Sequence, residues 1–484
     1  MPDSSSFPSR PMARRKLLLG AGGALALGLT VACSSGAGAS TNEAARRRAA
    51  RLRAAQRQGS DARPNVLWII TDDATRRTLE TMPYTMDKLV GQGVNFANGY
   101  VAVPWCGPAR ASMLTGMYLH NHGCDTNKTH RAFVHKGLDQ DTVATRMAAA
   151  GYVNGYFGKY MNGHAQDPGY VAPGWDRWVT LTDSVSLFNV DGDLSRVDTD
   201  KVLPDQFSAD HCSDFVVDNA GHPWFAVFAP TAPHDPYTPS EEHAHDFDGV
   251  AWNPPAFNEK DLSDKAAFLR SDPRQEHHRM RRIWEGKLEE LRDVDDQVRE
   301  LMVTLADTGQ LEDTVIIMVS DNGYLLGEHR LFQKKQPYEE STGIPFVVRG
   351  PGFAPGAPRA LVSQVDLMPT TLAVAGLDPD AGRALDGRSM LANLRSGDWT
   401  DWRRRLLAEN PKQGWAQLRE GDLAYIDYYA HDAAELYDLS KDPHQMRSIP
   451  ASASARARTE RARAQREVGA LRRAGGLELR ALEV

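Results

Sequence analysis

Cys106-Gly107-Pro108-Ala109-Arg110 places a thiol, a helix-starting proline and a guanidinium in one short stretch. Pro108 stands near the first turn of a helix carrying Ala111, Met113 and Leu114. Cys106 therefore falls at or just before the helix N-terminus, where unpaired N–H groups favour negative charge. Arg110, four residues on and about 6 Å along the axis, shares its face. A thiol beside a cation is a reactive arrangement; a buried free cysteine beside an ordinary surface arginine is the alternative. Two further stretches carry oxygen donors. Thr71-Asp72-Asp73 follows the apolar run Val66-Leu67-Trp68-Ile69-Ile70, and Ser320-Asp321-Asn322-Gly323 follows Thr314-Val315-Ile316-Ile317-Met318-Val319. Carboxylates about 4 Å apart repel by roughly 4 kcal/mol at an effective dielectric of about 20, so Asp72, Asp73, Asp321 and Asn322 gathered together need a cation. Hard oxygen donors without His or Cys favour calcium, with magnesium second.

Basic residues also follow apolar runs: Lys159 after Tyr152 to Phe157, His234 after Trp224 to Ala229, and Lys334 in the loop Phe332 to Glu340. A cation and several positive side chains converging near one cysteine describe an oxyanion pocket for a tetrahedral ester. His120 and His122, in Tyr118-Leu119-His120-Asn121-His122-Gly123, read as supports of such a pocket.

The elements that must position these groups are apolar strands of the doubly buried kind, alternating with helices. Glu285 to Thr308 carries Leu288, Leu291, Val294, Val298, Leu301 and Leu305 at helical spacing and reads as a sheet-covering helix. The alternation predicts an α/β fold with a large, mostly parallel, doubly wound sheet sandwiched by helices. Residues 63–400 form this domain. A small antiparallel subdomain follows at 401–450, and 451–484 is an Ala/Arg-rich tail read as an exposed helix, most of it outside the core.

Residues 1–34 read as an export signal: Arg14-Arg15-Lys16 precede an apolar run, Leu17 to Ala32, that falls short of the ~20 residues a membrane span needs. The paired arginines suggest the twin-arginine route, and Cys33 after a small residue resembles a bacterial lipoprotein site. Residues 35–62 read as a flexible basic linker. The expected location is extracellular or at the cell surface, with membrane contact only through that lipid anchor. The 484 residues carry a net charge of -7, which argues against nucleic acid as a partner. Four cysteines indicate no disulfide scaffold, and only Cys124 and Cys212 remain free to pair.

Cys106-Gly107-Pro108-Ala109-Arg110 with Ser112-Met113-Leu114-Thr115-Gly116 resembles the signature of the formylglycine-dependent sulfatases, in the alkaline phosphatase superfamily. The likeness extends through Asn65 to Asp73, Gly158-Lys159, Ala232-Pro233-His234, Ser320 to Gly323, Lys334 with Tyr338-Glu339-Glu340, and Glu435 to Leu439. Gly158-Lys159-Tyr160 with Asn162, together with Asp321-Asn322-Gly323-Tyr324, is most similar to the N-acetylglucosamine-6-sulfatase and heparan-sulfatase branch. The resemblance implies an alkaline phosphatase-like fold and a Cys106 oxidised to formylglycine by a separate maturation enzyme. It implies calcium, or magnesium second, held by Asp72, Asp73, Asp321, Asn322 and the modified Cys106. Lys159, Lys334 and His234 would balance the charge of a sulfate ester, with His234 or Lys334 protonating the leaving alcohol, and Arg110 would orient the modified residue. Many sulfatases carry a histidine where Met161 stands, with His164 the nearby substitute. The implied substrate is a sulfated carbohydrate of the N-acetylglucosamine-6-sulfate kind. The alternatives are an arylsulfatase of other specificity, a phosphate or phosphonate ester hydrolase, and a non-catalytic sulfo-glycan-binding lipoprotein.

Overall fold

A computed structural model describes residues 35–58, 63–182 and 186–484. The export signal, with Arg14, Arg15 and Cys33, lies outside the described residues. A nine-stranded sheet runs in the order Val94–Asn95, Phe346–Arg349, Thr314–Ser320, Asn65–Thr71, Trp224–Ala229, Val153–Lys159, Arg177–Leu181, Leu187–Val190, Asp193–Arg196. Neighbours from Thr314–Ser320 through Arg177–Leu181 pair in parallel, as the doubly apolar strands predict; the pairings at both margins are antiparallel.

Side chains alternate between the two faces of the sheet. Val66, Trp68 and Ile70 join one apolar cluster with Ala111, Met113 and Leu114 of the helix Cys106–Thr115 and with Leu367, Met368 and Leu372. Leu67 and Ile69 join the other with Leu291, Val294, Val298, Leu301 and Leu305 of the long helix His277–Asp307. Near the C-terminus, Arg405–Asn410, Trp415–Glu420, Leu423–Tyr428 and Ala433–Asp438 form a separate antiparallel sheet.

Two segments differ from expectation. The stretch expected as a flexible linker contains the helix Ser35–Gln58. Ala50 and Ala54, one turn apart, are buried against Val217 and Ala220, while Arg46 pairs with Asp214 and Asp218 and Arg47 with Asp307. Two arginines of that basic stretch thus meet carboxylates. The tail is not a free helix either. In Ala455–Leu471 and Gly476–Leu482, the residues Ala464, Val468, Leu471 and Leu479 pack with Leu418, Tyr425 and Leu436 of the small sheet. Its arginines mask a narrow apolar stripe spaced i, i+4, i+7. Fully buried Glu483 meets Arg403 Nε at 3.1 Å and accepts from Tyr118 Oη at 2.9 Å. Cys124 and Cys212 are separate free, buried thiols. Among the described residues no helix is long and apolar enough to cross a membrane.

Candidate active site

Parallel pairing sets the site. Thr71 pairs with Ser320, so Asp72 and Asp321 leave the sheet side by side at the carboxyl ends of two central strands, the position at which open α/β sheets place ligands. Asp73 turns into the left-handed region at φ 70°, and its N–H donates to Asp321 Oδ1 at 3.2 Å. Gln364 Nε2 donates to the carbonyls of Ser320 and Asp321 at 2.8 and 2.7 Å, fixing that turn.

Cys106 is the first residue of its helix, as expected, and is fully buried. The next position must be glycine, since a Cβ on Gly107 would stand 2.3 Å from Thr129 Oγ1. The Cys106 thiol donates to Asp72 Oδ1 at 3.3 Å and receives Lys334 Nζ at 2.7 Å. Arg110 Nε donates to Asp321 Oδ2 at 2.9 Å and Nη1 to the Lys159 carbonyl at 2.5 Å; Nη2, 4.0 Å from Asp72 Oδ2, has no hydrogen-bond partner among the described residues. Arg110 thus ties the cysteine helix to two strand ends.

Lys159 ends its strand and donates to Asp72 Oδ2. Gly158, at φ 108°, permits the close approach of Ala229, whose carbonyl oxygen would lie 2.1 Å from any Cβ there. Lys334 also donates to Asp73 Oδ1 at 2.5 Å. Its loop is held from the small sheet, where Trp415 Nε1 donates to the Lys335 carbonyl at 2.9 Å and Gln417 Nε2 to the Pro337 carbonyl at 2.8 Å. His234 Nε2 stands 3.8 Å from Asp73 Oδ2; Nδ1, facing the Asp235 carbonyl at 2.8 Å, is the protonated nitrogen.

Burial opposes ionisation of Asp72, but Lys159, His234, Lys334 and Arg110 together outweigh it and hold its carboxyl well below the usual range. Asp321 is pushed up by burial and by Asp72. Burial, then Asp321 and Asp72, push the Cys106 thiol up against the pull of Lys159 and Lys334. Asp72, Asp73, Cys106 and Asp321 each offer an atom within 4.8 Å of the others. Asn322 Oδ1 is buried without a hydrogen-bond partner among the described residues, while its Nδ2 donates to Asp73 Oδ1 at 2.5 Å. This oxygen-rich set with one unpaired acceptor fits a hard divalent cation.

The sequence reading missed Lys287 of the long helix. It is buried, donates to the Pro233 carbonyl at 2.7 Å beside His234, and stands 4.3 Å over the Tyr324 ring. His122 is pulled down to about 3 by burial; its Nδ1 accepts from the Cys124 N–H and its Nε2 meets Ser112 Oγ at 3.0 Å, bracing the cysteine helix. His120 faces Glu409 and the Ala474 carbonyl, away from the carboxylate cluster. His164 donates to the Tyr170 carbonyl, is packed against His130, Tyr160 and Trp178, and is pulled down to about 4 by burial.

The family described as Sulfatase matches residues 64–377, and the family described as N-sulphoglucosamine sulphohydrolase, C-terminal, matches 327–467. The N-acetylglucosamine-6-sulfatase of Homo sapiens is 31% identical, over 73% of this chain and 68% of that protein. The extracellular sulfatase SULF-1 homolog of Drosophila melanogaster is 32% identical over 69% of this chain, but the match spans only 32% of the fly protein. The structure of BT4656 in complex with its substrate D-glucosamine-2-N,6-O-disulfate superposes with a TM-score of 0.73 at 21% identity, covering 84% of this chain and 97% of that one.

Proposed function

The chain belongs to the sulfatase family, and on that premise we propose that it hydrolyses sulfate esters, those of a sulfated carbohydrate of the N-acetylglucosamine-6-sulfate kind. The observation that carries this is the meeting of Cys106 with Lys334 and the carboxylates, in a pocket where Lys159 and His234 also converge. Cys106 is the position for formylglycine, whose hydrated aldehyde supplies the oxygen nucleophile. Asp72, Asp73, Asp321 and Asn322 are the ligands for the divalent cation, calcium before magnesium, which supplies charge stabilisation at the reacting oxygens.

Lys159 and Lys334 hold the sulfate charge, and their present partners, Asp72 and Asp73, keep both ammonium groups oriented into the pocket. His234 keeps Nδ1 on the Asp235 carbonyl, so its Nε2 is the nitrogen that exchanges a proton with the leaving alcohol. Arg110 fixes Cys106 by locking the first turns of its helix to Asp321 and Lys159. Export, lipidation at Cys33 and a maturation enzyme that acts on Cys106 belong to the same proposal.

The test is chain co-produced with a formylglycine-generating enzyme, with the Cys106 peptide weighed and turnover of an aryl sulfate and an aryl phosphate compared. Aldehyde at Cys106 and faster sulfate release are expected. An unmodified thiol in fully active protein, or faster phosphate release, would overturn the reading.

A further inference from the structure

One cavity of about 520 Å³ is lined by Asp72, Lys159 and His234 and also by Asp205, Glu290, Asp293 and Gln297. Among the described residues that line it, Lys159 is the only lysine or arginine. Glu290, Asp293 and Gln297 stand at i, i+3 and i+7 of the long helix, so they share one face. Asp205 is committed, both its oxygens accepting from the N–H groups of Thr231 and Ala232. Asp293 accepts from Ser240 N–H at 2.8 Å. Glu290 is only 7% exposed; Oε1 accepts from Thr238 N–H at 2.8 Å, and Oε2 has no partner among the described residues. Gln297, 1% exposed, likewise leaves Oε1 unpartnered. Lys287, one turn before Glu290, is turned to the Pro233 carbonyl and lies outside the lining.

Buried acceptors without donors are costly. Burial, reinforced by Asp205 and Asp293, disfavours the ionised form of Glu290 despite Lys287 and the Thr238 N–H, and a cation brought beside it would favour the carboxylate. A hydroxyl on a ligand would bring a donor but no charge, whereas an ammonium group brings donors and the missing positive charge together. We propose that this face of the long helix recognises an ammonium group on the alcohol portion of the sulfate ester. The preferred substrate is then an amino-sugar sulfate with a free amine. An N-acyl group removes the charge, and an N-sulfate sets an anion beside carboxyl groups. This rests on the sulfatase reading above and replaces the N-acetylated sugar of that reading with its free amine.

Matured full-length chain is assayed on glucosamine 6-sulfate, N-acetylglucosamine 6-sulfate and glucosamine 2-N,6-O-disulfate. The expected kcat/KM for the free amine exceeds that for the N-acetyl ester by at least about tenfold, with the disulfate lowest. Glu290→Gln keeps an acceptor for Thr238 and should bring the first ratio near one, chiefly through KM. Because both rates come from one preparation, partial misfolding cancels. Equal turnover of free amine and N-acetyl ester by the wild type, or the same preference in Glu290→Gln, overturns the inference. Calorimetric titration of Cys106→Ala with the same two monosulfates gives a readout independent of maturation: tighter binding of the free amine supports the inference, equal affinity overturns it. Aryl sulfate turnover without amine preference sinks this inference and leaves the sulfatase reading; amine-selective binding without sulfate release does the reverse.

Discussion

Lys334 Nζ stands 2.7 Å from Cys106 Sγ, although 228 residues separate the two in the chain. The same ammonium reaches Asp73 Oδ1 at 2.5 Å, so one side chain spans the nucleophile position and the carboxylate cluster. Lys334→Met should lower kcat on an aryl sulfate by about 10²–10³-fold, the scale for losing one preorganised group at developing negative charge. Lys334→Arg should recover part of the loss; steady-state kinetics check both.

Chelation should abolish turnover and lower stability, because Asp72, Asp73 and Asp321 crowd within a few ångströms of one another. Adding calcium at about a hundred times its Kd should stabilise the fold by roughly 2.7 kcal/mol, read by denaturant unfolding. Magnesium should restore activity only at higher concentration.

Arg403 is fully buried between Asp366 Oδ1 at 2.5 Å and Glu483 Oε2 at 3.1 Å. Arg403→Met leaves Asp366 without its ion-pair partner and Glu483 with Arg388 alone, and should cost about 3–5 kcal/mol in urea unfolding. The double variant Arg403→Met, Glu483→Gln should cost less than the sum of the single ones.

Burial pushes Glu328 up to about 7 and, with Glu328 beside it, Glu340 up to about 8, from an ordinary value of 4.5. The folded chain therefore binds more protons than the unfolded chain above that ordinary value. Stability from this pair is full below about 4.5 and is lost as pH rises through about 7 to 8. The melting temperature should fall over that window, and Glu340→Gln should flatten the fall. His122, lowered from 6.5 to about 3, has the opposite sign: its neutral burial costs stability as pH drops below 6.5. His122→Asn should reduce the acid loss in the same melts.

The strands and the groups at their ends were legible because a doubly buried strand needs an unbroken apolar run. Trp224–Ala229 occupies the residues expected, and Asp72, Lys159, Asp321 and Cys106 sit at the element ends foreseen for them. The long helix was legible only in part. Its leucines and valines marked the face on the sheet, but the spacing gave no sign that Lys287, Glu290 and Gln297 are buried. Periodicity separates apolar from polar positions; it does not say that a second body, the loop at Pro233, lies against the polar flank. Likewise, nothing local in the run Arg46-Arg47 reveals Asp214 and Asp307, far along the chain, as partners.

The site also balances its own charge. Asp72, Asp73 and Asp321 face Arg110, Lys159 and Lys334, three negative groups against three positive. A dication arriving alone leaves an excess of one sign, and a sulfate ester arriving alone leaves the other. Each guest therefore lowers the penalty for its opposite, and by reciprocity the factor by which the cation tightens the ester equals the factor by which the ester tightens the cation. In an apparently static cluster of ion pairs, the two ligands become each other's effectors.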